Sequence, residues 1–240
     1  DATPMSLEKR KFGILYYDTP DGSYKSGVDF FVKELRTKYG VQMAEVLAYP
    51  SDLAESTERA RPLIQRLKDS GVTTVLFSGD FINPATYTRQ ATLQGYFPEW
   101  IITGSLLTDT TLFARTYDQA QWANAFGLSF LVARSPDEFN DAYRIWRWHF
   151  GNADIPADNQ FKTIYPGPST FFTGVHLAGP NLTPATWQKG LFSATPSGSG
   201  QKTVGSVSFG RHGLWPFPAY TALADVTEIW WDPSASGEDE

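Results

Sequence analysis

The chain has 240 residues, 41% of them hydrophobic and 19% charged, with a formal net charge of −6. That length can bury a substantial core, the acidic balance with scattered Lys and Arg excludes a basic nucleic-acid surface, and no apolar run approaches the ~20 residues a membrane-spanning helix requires. Without cysteine there are neither disulfides nor thiolate metal sites, a usage compatible with an extracytoplasmic life.

Residues 1–11 carry neither an initiator methionine nor a signal peptide, as a processed product or an excised segment would. Residues 12–17 form a continuous β-prone run closed by the turn cluster Asp18, Thr19, Pro20, Asp21 and Gly22. Behind it Tyr24, Val28, Phe31, Val32, Leu35 and Tyr39 recur at helical spacing. Gly40 stops that helix, residues 41–49 supply a second extended run, and Ala60, Leu63, Ile64 and Leu67 form the next apolar stripe. Pro62 interrupts the stripe. The helix is therefore expected either to begin near Arg59, with Pro62 in its first turn, or to kink there, because an interior proline loses a bond and clashes. Gly71 closes it, and residues 72–77 make a third strand whose β-branched residues suit burial on both faces.

That strand ends at Ser78, Gly79 and Asp80. Asn83 before Pro84 reads as a capped helix entrance and Gly95 as its exit. Residues 100–103 form a fourth strand, 108–115 a short helical stretch and 127–132 a fifth strand. Ser135, Pro136 and Glu138 then make a capping box for a helix with Phe139, Ala142, Tyr143, Trp146 and Phe150 on its buried face. After Gly151 the composition changes. Residues 152–168, rich in Asn, Asp, Pro and Gly, read as a linker, followed by an apolar helix around 169–177. A short helix runs from Thr183 and Pro184 through Trp187 and ends at Gly190. A Ser/Gly stretch (196–200), a strand-like run (204–209), a final strand (225–231) and a frayed acidic tail (234–240) complete the chain.

This alternation predicts an α/β fold: a flavodoxin-like parallel five-stranded sheet with helices on both faces, plus a C-terminal helical and strand extension. With strand order 2-1-3-4-5 the topological switch falls between the first and third strands. Loops 17–24 and 78–83 then face one crevice, flanked by loop 104–109. The candidate ligand-binding residues are Tyr17, Asp18, Asp21, Tyr24, Ser78, Asp80, Phe81, Asn83, Gly104 and Ser105. Aromatic rings there would cover an apolar part of a solute, and carboxylates would pair with an ammonium group. Structural readings stand beside these. Asp18 and Asp21 suit turn and capping roles, Asn83 suits a helix cap better than a ligand contact, and one of Tyr16 and Tyr17 belongs to the core. Trp146, Trp148, Trp230 and Trp231 suit packing more than a sugar platform. Phe81 is the leading candidate for an exposed functional aromatic.

An enzymatic reading lacks its constellations. There is no Gly-x-Ser-x-Gly elbow, no Gly-x-Gly-x-x-Gly after a strand and no Walker sequence. His149, His176 and His212 lie outside the crevice loops and lack metal-ligand spacing. Asp18 with Asp80, as a carboxylate pair for Mg²⁺ or acid–base chemistry, is what remains of it. No catalytic residue, metal or cofactor is expected.

The run Lys11-Phe-Gly-Ile-Leu-Tyr-Tyr-Asp-Thr-Pro-Asp-Gly, the segment Val-Thr-Thr-Val-Leu-Phe after Gly71, and Gly95-Tyr-Phe-Pro-Glu-Trp-Ile-Ile-Thr-Gly resemble type I periplasmic binding proteins. The type is the branched-chain amino acid (Leu/Ile/Val) receptor of ABC transporters. The closing Glu228-Ile-Trp-Trp-Asp-Pro looks like a late strand of that family's second lobe, so the resemblance spans roughly residues 11–233. It implies an extracytoplasmic bilobal receptor that closes on a small solute and docks on a permease. This chain would supply the second lobe (1–150), then linker, crossing helices and final strands (151–233), then the acidic tail, with about half the site. The family's first lobe is not in the sequence. By resemblance, Asp21 and the Asp80-Phe81 pair fall at ligand-facing positions, and Ser105 lies near a third. Hinges would lie at 133–136 and 157–168. Phe171, Phe172, Val175, Leu182 and Trp187 would pack on the absent lobe, or without it drive self-association or fold onto the sheet. A ligand-sensing or interaction module of the same fold would share these features.

Overall fold

The computed structural model describes residues 9–130, 141–151, 164–196, 206–212, 217–221 and 225–235. The chain divides into two compact units, residues 1–129 with 228–240, and residues 130–227.

In the first unit β1 (Phe12–Asp18) leads through Gly22 into α1 (Ser23–Tyr39), which ends at Gly40 with φ 67°. Then come β2 (Met43–Pro50), α2 (Leu53–Asp69), β3 (Thr74–Ser78), α3 (Asn83–Leu93) and β4 (Glu99–Ile102). A 3-10 turn (Ser105–Leu107), α4 (Thr111–Ala114) and α5 (Gln119–Trp122) precede β5 (Ala125–Ser129). The sheet order is β2-β1-β3-β4-β5-β6, where β6 (Thr227–Trp230) comes from the far end of the chain. The first five strands pair in parallel, so the expected order holds and the final strand extends it.

The two-residue period of the strands sorts their side chains onto two cores. On one face Leu15, Leu47, Tyr49, Val75, Phe77, Trp100 and Ile102 pack with Ala60, Ile64 and Leu67 of α2 and Tyr87 and Ala91 of α3. On the other, Ile14, Tyr16 and Leu76 meet Val28 of α1. Helices on both faces follow from this division.

Several boundaries differ from expectation. α2 starts at Leu53, well before Arg59, because the Asp52 carboxylate accepts the Glu55 N–H at 2.9 Å and caps it there. Pro62 sits inside the helix at an exposed position. The short helical stretch expected at 108–115 is present as the four-residue α4, with the 3-10 turn before it and α5 after it outside the expected range. β5 begins at Ala125 and ends at Ser129. The Ser135, Pro136, Glu138 box and Phe139 lie outside the described residues, as do hinge segment 133–136, residues 157–163 of the second hinge segment, and most of stretch 196–200 and the tail.

In the second unit α6 (Asp141–Phe150) buries Ala142 and Tyr143, while Phe150 is exposed and Trp146 only half-buried, its ring 4.2 Å from that of Phe150. α7 (Pro166–Ala178) begins inside the expected linker, its first turn set by Pro166. α8 (Pro184–Ser193) opens on a Thr183–Thr186 capping box and runs through Gly190. That glycine does not stop the helix. It admits Leu177, whose Cβ would lie 2.8 Å from an added methyl, and Gly174 likewise admits the Trp187 indole. The described part of run 204–209 forms no strand. The neighbouring Gly210 instead pairs with Ala219 in an isolated antiparallel bridge. Among the described residues, no helix is long and apolar enough to cross a membrane.

Candidate functional site

β1 is hydrogen-bonded to β2 on one side and β3 on the other, with Tyr17 opposite Tyr49 and Tyr16 opposite Ser78. The strand order reverses here, which puts the loops after β1 and β3 at the switch point. Beneath these loops lies a hydrogen-bonded floor. A methyl on Gly79 would lie 1.7 Å from the Tyr49 hydroxyl, so only glycine lets that hydroxyl in. Tyr49 donates to Asp80 Oδ2 at 2.8 Å and accepts the Asp80 N–H at 3.0 Å. Asp80 Oδ1 accepts the N–H groups of Ile82 and Asn83 at 2.7 and 2.9 Å, and Oδ2 also accepts Asn83 Nδ2 at 2.8 Å. Four donors on two oxygens leave this carboxylate saturated. Asp80, not Asn83, therefore caps α3. Asn83 is buried, and its Oδ1 accepts the Ser56 hydroxyl at 2.6 Å, which also pairs with the Tyr87 hydroxyl at 3.1 Å. Burial, with the Asp80 charge adding to it, pushes the Tyr49 hydroxyl far above its ordinary range, and burial pushes Tyr87 up to about 12. Both remain donors at neutral pH.

Above this floor runs an aromatic row. Tyr17 meets Tyr24 edge to face with centroids 5.7 Å apart, and Tyr49 at 5.5 Å. Tyr16 is the core member of its pair, buried on the opposite face. Burial raises the Tyr24 hydroxyl, helped by the nearby Asp80 charge. The two turn aspartates separate. Asp21 accepts the Ser23 N–H and hydroxyl at 3.1 and 2.9 Å, and the Thr19 and Ser23 groups hold its carboxyl below the usual range. Asp18 is exposed, and no hydrogen bond to its carboxylate is seen among the described residues. Phe81 is half-buried with its ring 4.1 Å from Phe113, and its carbonyl accepts the Tyr117 hydroxyl at 2.7 Å.

The loop after β4 is tied to the same floor. Gly104, at φ 71°, turns the chain. Ser105 Oγ accepts the Gly79 N–H at 3.1 Å and donates to the Gly79 carbonyl at 2.9 Å, and Thr103 braces it at 3.1 Å while donating to the Phe77 carbonyl. Of the ten sequence-derived candidates, Asp21, Asp80, Asn83, Gly104 and Ser105 are thus engaged in holding the loops. Tyr17, Asp18, Tyr24, Ser78 and Phe81 carry side chains with capacity to spare. Their phenols, hydroxyl, carboxylate and ring suit hydrogen-bond and cation recognition. The Asp18 and Asp80 pair does not suit metal or acid–base work, because Asp80 has no oxygen free. Among the described residues no group of three His, Cys, Asp or Glu is placed to hold a metal ion. Sequence reasoning missed Tyr49, Ser56, Tyr87 and Phe113. The Gly between Ser78 and Asp80, level with a tyrosine at the end of β2, was the available signal for the first.

No protein-family model matches the chain, and no curated protein does either. Solved structures do. An ABC transporter substrate-binding protein from Aeropyrum pernix superposes with a TM-score of 0.60 at 10% identity, covering 83% of this chain and 52% of that one. A putative branched-chain amino acid ABC transporter protein from Rhodospirillum rubrum gives 0.58 at 17% identity, covering 91% and 56%. A fatty acid ABC transporter substrate-binding protein from Thermomonospora curvata gives 0.55 at 15%, covering 85% and 50%. The chain spans about half the length of these structures. Over the matched part, the chain shares the fold of these structures.

Proposed function

We propose that the chain is the second lobe, with its crossing segments, of an extracytoplasmic solute-binding component of an ABC-type transport system. On this reading it is not an enzyme. It contributes about half of a site for a small metabolite such as an amino acid or related organic acid, and the full-length protein presents both lobes to a permease. The observation that carries this reading is the placement of Tyr17, Asp18, Tyr24 and Phe81, not consumed by the floor network, at the switch point of a solute-binding-protein fold. Asp18 pairs with an ammonium group, the phenols hydrogen-bond polar groups and Phe81 covers an apolar portion. The Leu/Ile/Val type draws support from the name of the Rhodospirillum rubrum protein. α7 and α8 pack on each other yet leave Phe171 and Phe172 at 54% and 66% exposure. These residues, with the Trp187 region, are the surface for the missing lobe or for a second copy.

The test is a thermal-shift screen of the chain against amino acids and small organic acids, with mass measured by size exclusion on the same sample. A concentration-dependent rise in Tm, abolished by Asp18→Asn, is expected, since a ligand that binds only the native state stabilises it. A screen in which no compound shifts Tm would overturn the claim that this chain carries a usable half-site.

A further inference from the structure

We propose that Leu106 is a specificity-determining contact for an apolar group of the solute, presented by a left-handed backbone. The proposal rests on the solute-binding reading above. Leu106 has φ 43° and ψ 53°, and Leu107 follows at φ 63°. L-residues avoid this region because Cβ crowds the neighbouring carbonyl, and glycine or asparagine normally fills it. Gly104, two residues earlier at φ 71°, shows the same loop using glycine where only the turn is demanded. Leu107 is half-buried, so its packing offsets the unfavourable backbone. Leu106 is 48% exposed. A bulky apolar side chain there is less buried than Leu107 while carrying the same conformational cost. Outliers of this kind concentrate at ligand clamps.

The position of the loop says what Leu106 meets. Its neighbour Ser105 is bonded through Oγ to both the N–H and the carbonyl of Gly79, the residue that roofs the Tyr49 hydroxyl. On the other side Thr108 donates its N–H and hydroxyl to the Ser105 carbonyl, and Thr110 donates the same pair to Leu107. The backbone is thus pinned before and after Leu106, next to the crevice loop that carries Phe81. A backbone held this way needs little further ordering when a solute arrives. The solute class is a molecule with a hydrocarbon portion of several carbons beside a cationic or hydrogen-bonding head.

The experiment titrates propylammonium and hexylammonium into the ¹⁵N-labelled chain and its Leu106→Asn variant, following amide shifts by NMR. Asparagine tolerates the left-handed backbone, so the variant folds, and its Tm is expected to equal or exceed the parent's. Each buried methylene is worth about fourfold in affinity. The parent is expected to prefer hexylammonium by about tenfold or more, and the variant by about threefold or less. An equal preference in both proteins, or a parent that binds neither probe, overturns the inference. A compound from the screen above that depends on Asp18 but not on Leu106 removes this inference alone; a screen without any binder removes both.

Discussion

At the scale of single residues, the least replaceable position in the site is a glycine. A methyl on Gly79 would meet the Tyr49 hydroxyl at 1.7 Å and its Cζ at 2.7 Å, and Tyr49 is fixed between Phe77 and Tyr87. Gly79→Ala must expel the hydroxyl from Asp80, combining overpacking with two lost hydrogen bonds. We expect a loss of about 3 kcal/mol in urea unfolding. Tyr49→Phe alone should cost about 2 kcal/mol, since it leaves Asp80 one donor short and its N–H without an acceptor. Because both changes break the same contact, the double variant should lose clearly less than their sum. Strict additivity would show that the two residues do not act on one another. This network also explains what could be read from sequence here. That Asp21 belongs to a turn is legible, since Ser23 stands two residues on. That Asp80 rather than Asn83 caps α3 is not, because the choice is made by Ser56 and Tyr49, which approach from other elements.

At the scale of elements, strands β1 to β4 were legible as apolar runs between glycines, and α1 as a periodic stripe. α4 was legible only as a vaguer helical stretch around it, and α5 was not legible at all: at four residues each they are too short to display a period. α2 was legible as an element but its start was not: Pro62 pointed to a start near Arg59 or to a kink, whereas the cap at Asp52 sets the start at Leu53. The structure makes both testable. Pro62→Ala restores an interior N–H and should stabilise the chain by about 1–3 kcal/mol, reduced from the full proline penalty by the unfolded chain's gain in freedom. Asp52→Ala should cost about 1 kcal/mol. No gain from Pro62→Ala in a denaturant titration would mean that the helix has already accommodated its proline. At the head of β4, Glu99 pairs with Arg10 at 2.7 Å and accepts the Thr74 hydroxyl, and Arg10, followed by Thr74, holds its carboxyl below the usual range. A folded pKa below the unfolded one gives stability that is full above the unfolded value and lost as pH falls through the folded value. Glu99→Gln should therefore flatten the decline in unfolding free energy between about pH 5 and about pH 3. An unchanged slope would assign acid sensitivity to other carboxylates.

For the whole molecule, the first unit is not continuous in sequence: its path breaks after Ser129 and resumes at Glu228. The sheet edge is therefore completed by residues that arrive last, and Trp231 is the fastening. Its N–H donates to the Ala125 carbonyl at 3.0 Å, its indole Nε1 donates to Gln119 at 2.9 Å, and Arg115 lies over its ring at 5.8 Å. Alternation along the strand then leaves Trp230 exposed, so two adjacent tryptophans that look alike in sequence have opposite roles. The sequence suggested packing for both, and only the register of β6 separates them. Trp231→Ala removes the ring from the larger of the two cores together with both of its side-chain contacts, and should cost about 2–4 kcal/mol. The loss should also be local. β1 and β3 are each paired on both sides within the sheet, whereas β5 depends on β6 for its outer neighbour. Hydrogen exchange in Trp231→Ala should therefore speed up at the amides of β5 and β6 well before those of β1 and β3, as a unit that opens from its edge requires. Uniform acceleration across all six strands would instead make the unit a single cooperative block, in which the late-arriving strand is as central to stability as the switch-point pair beneath the site.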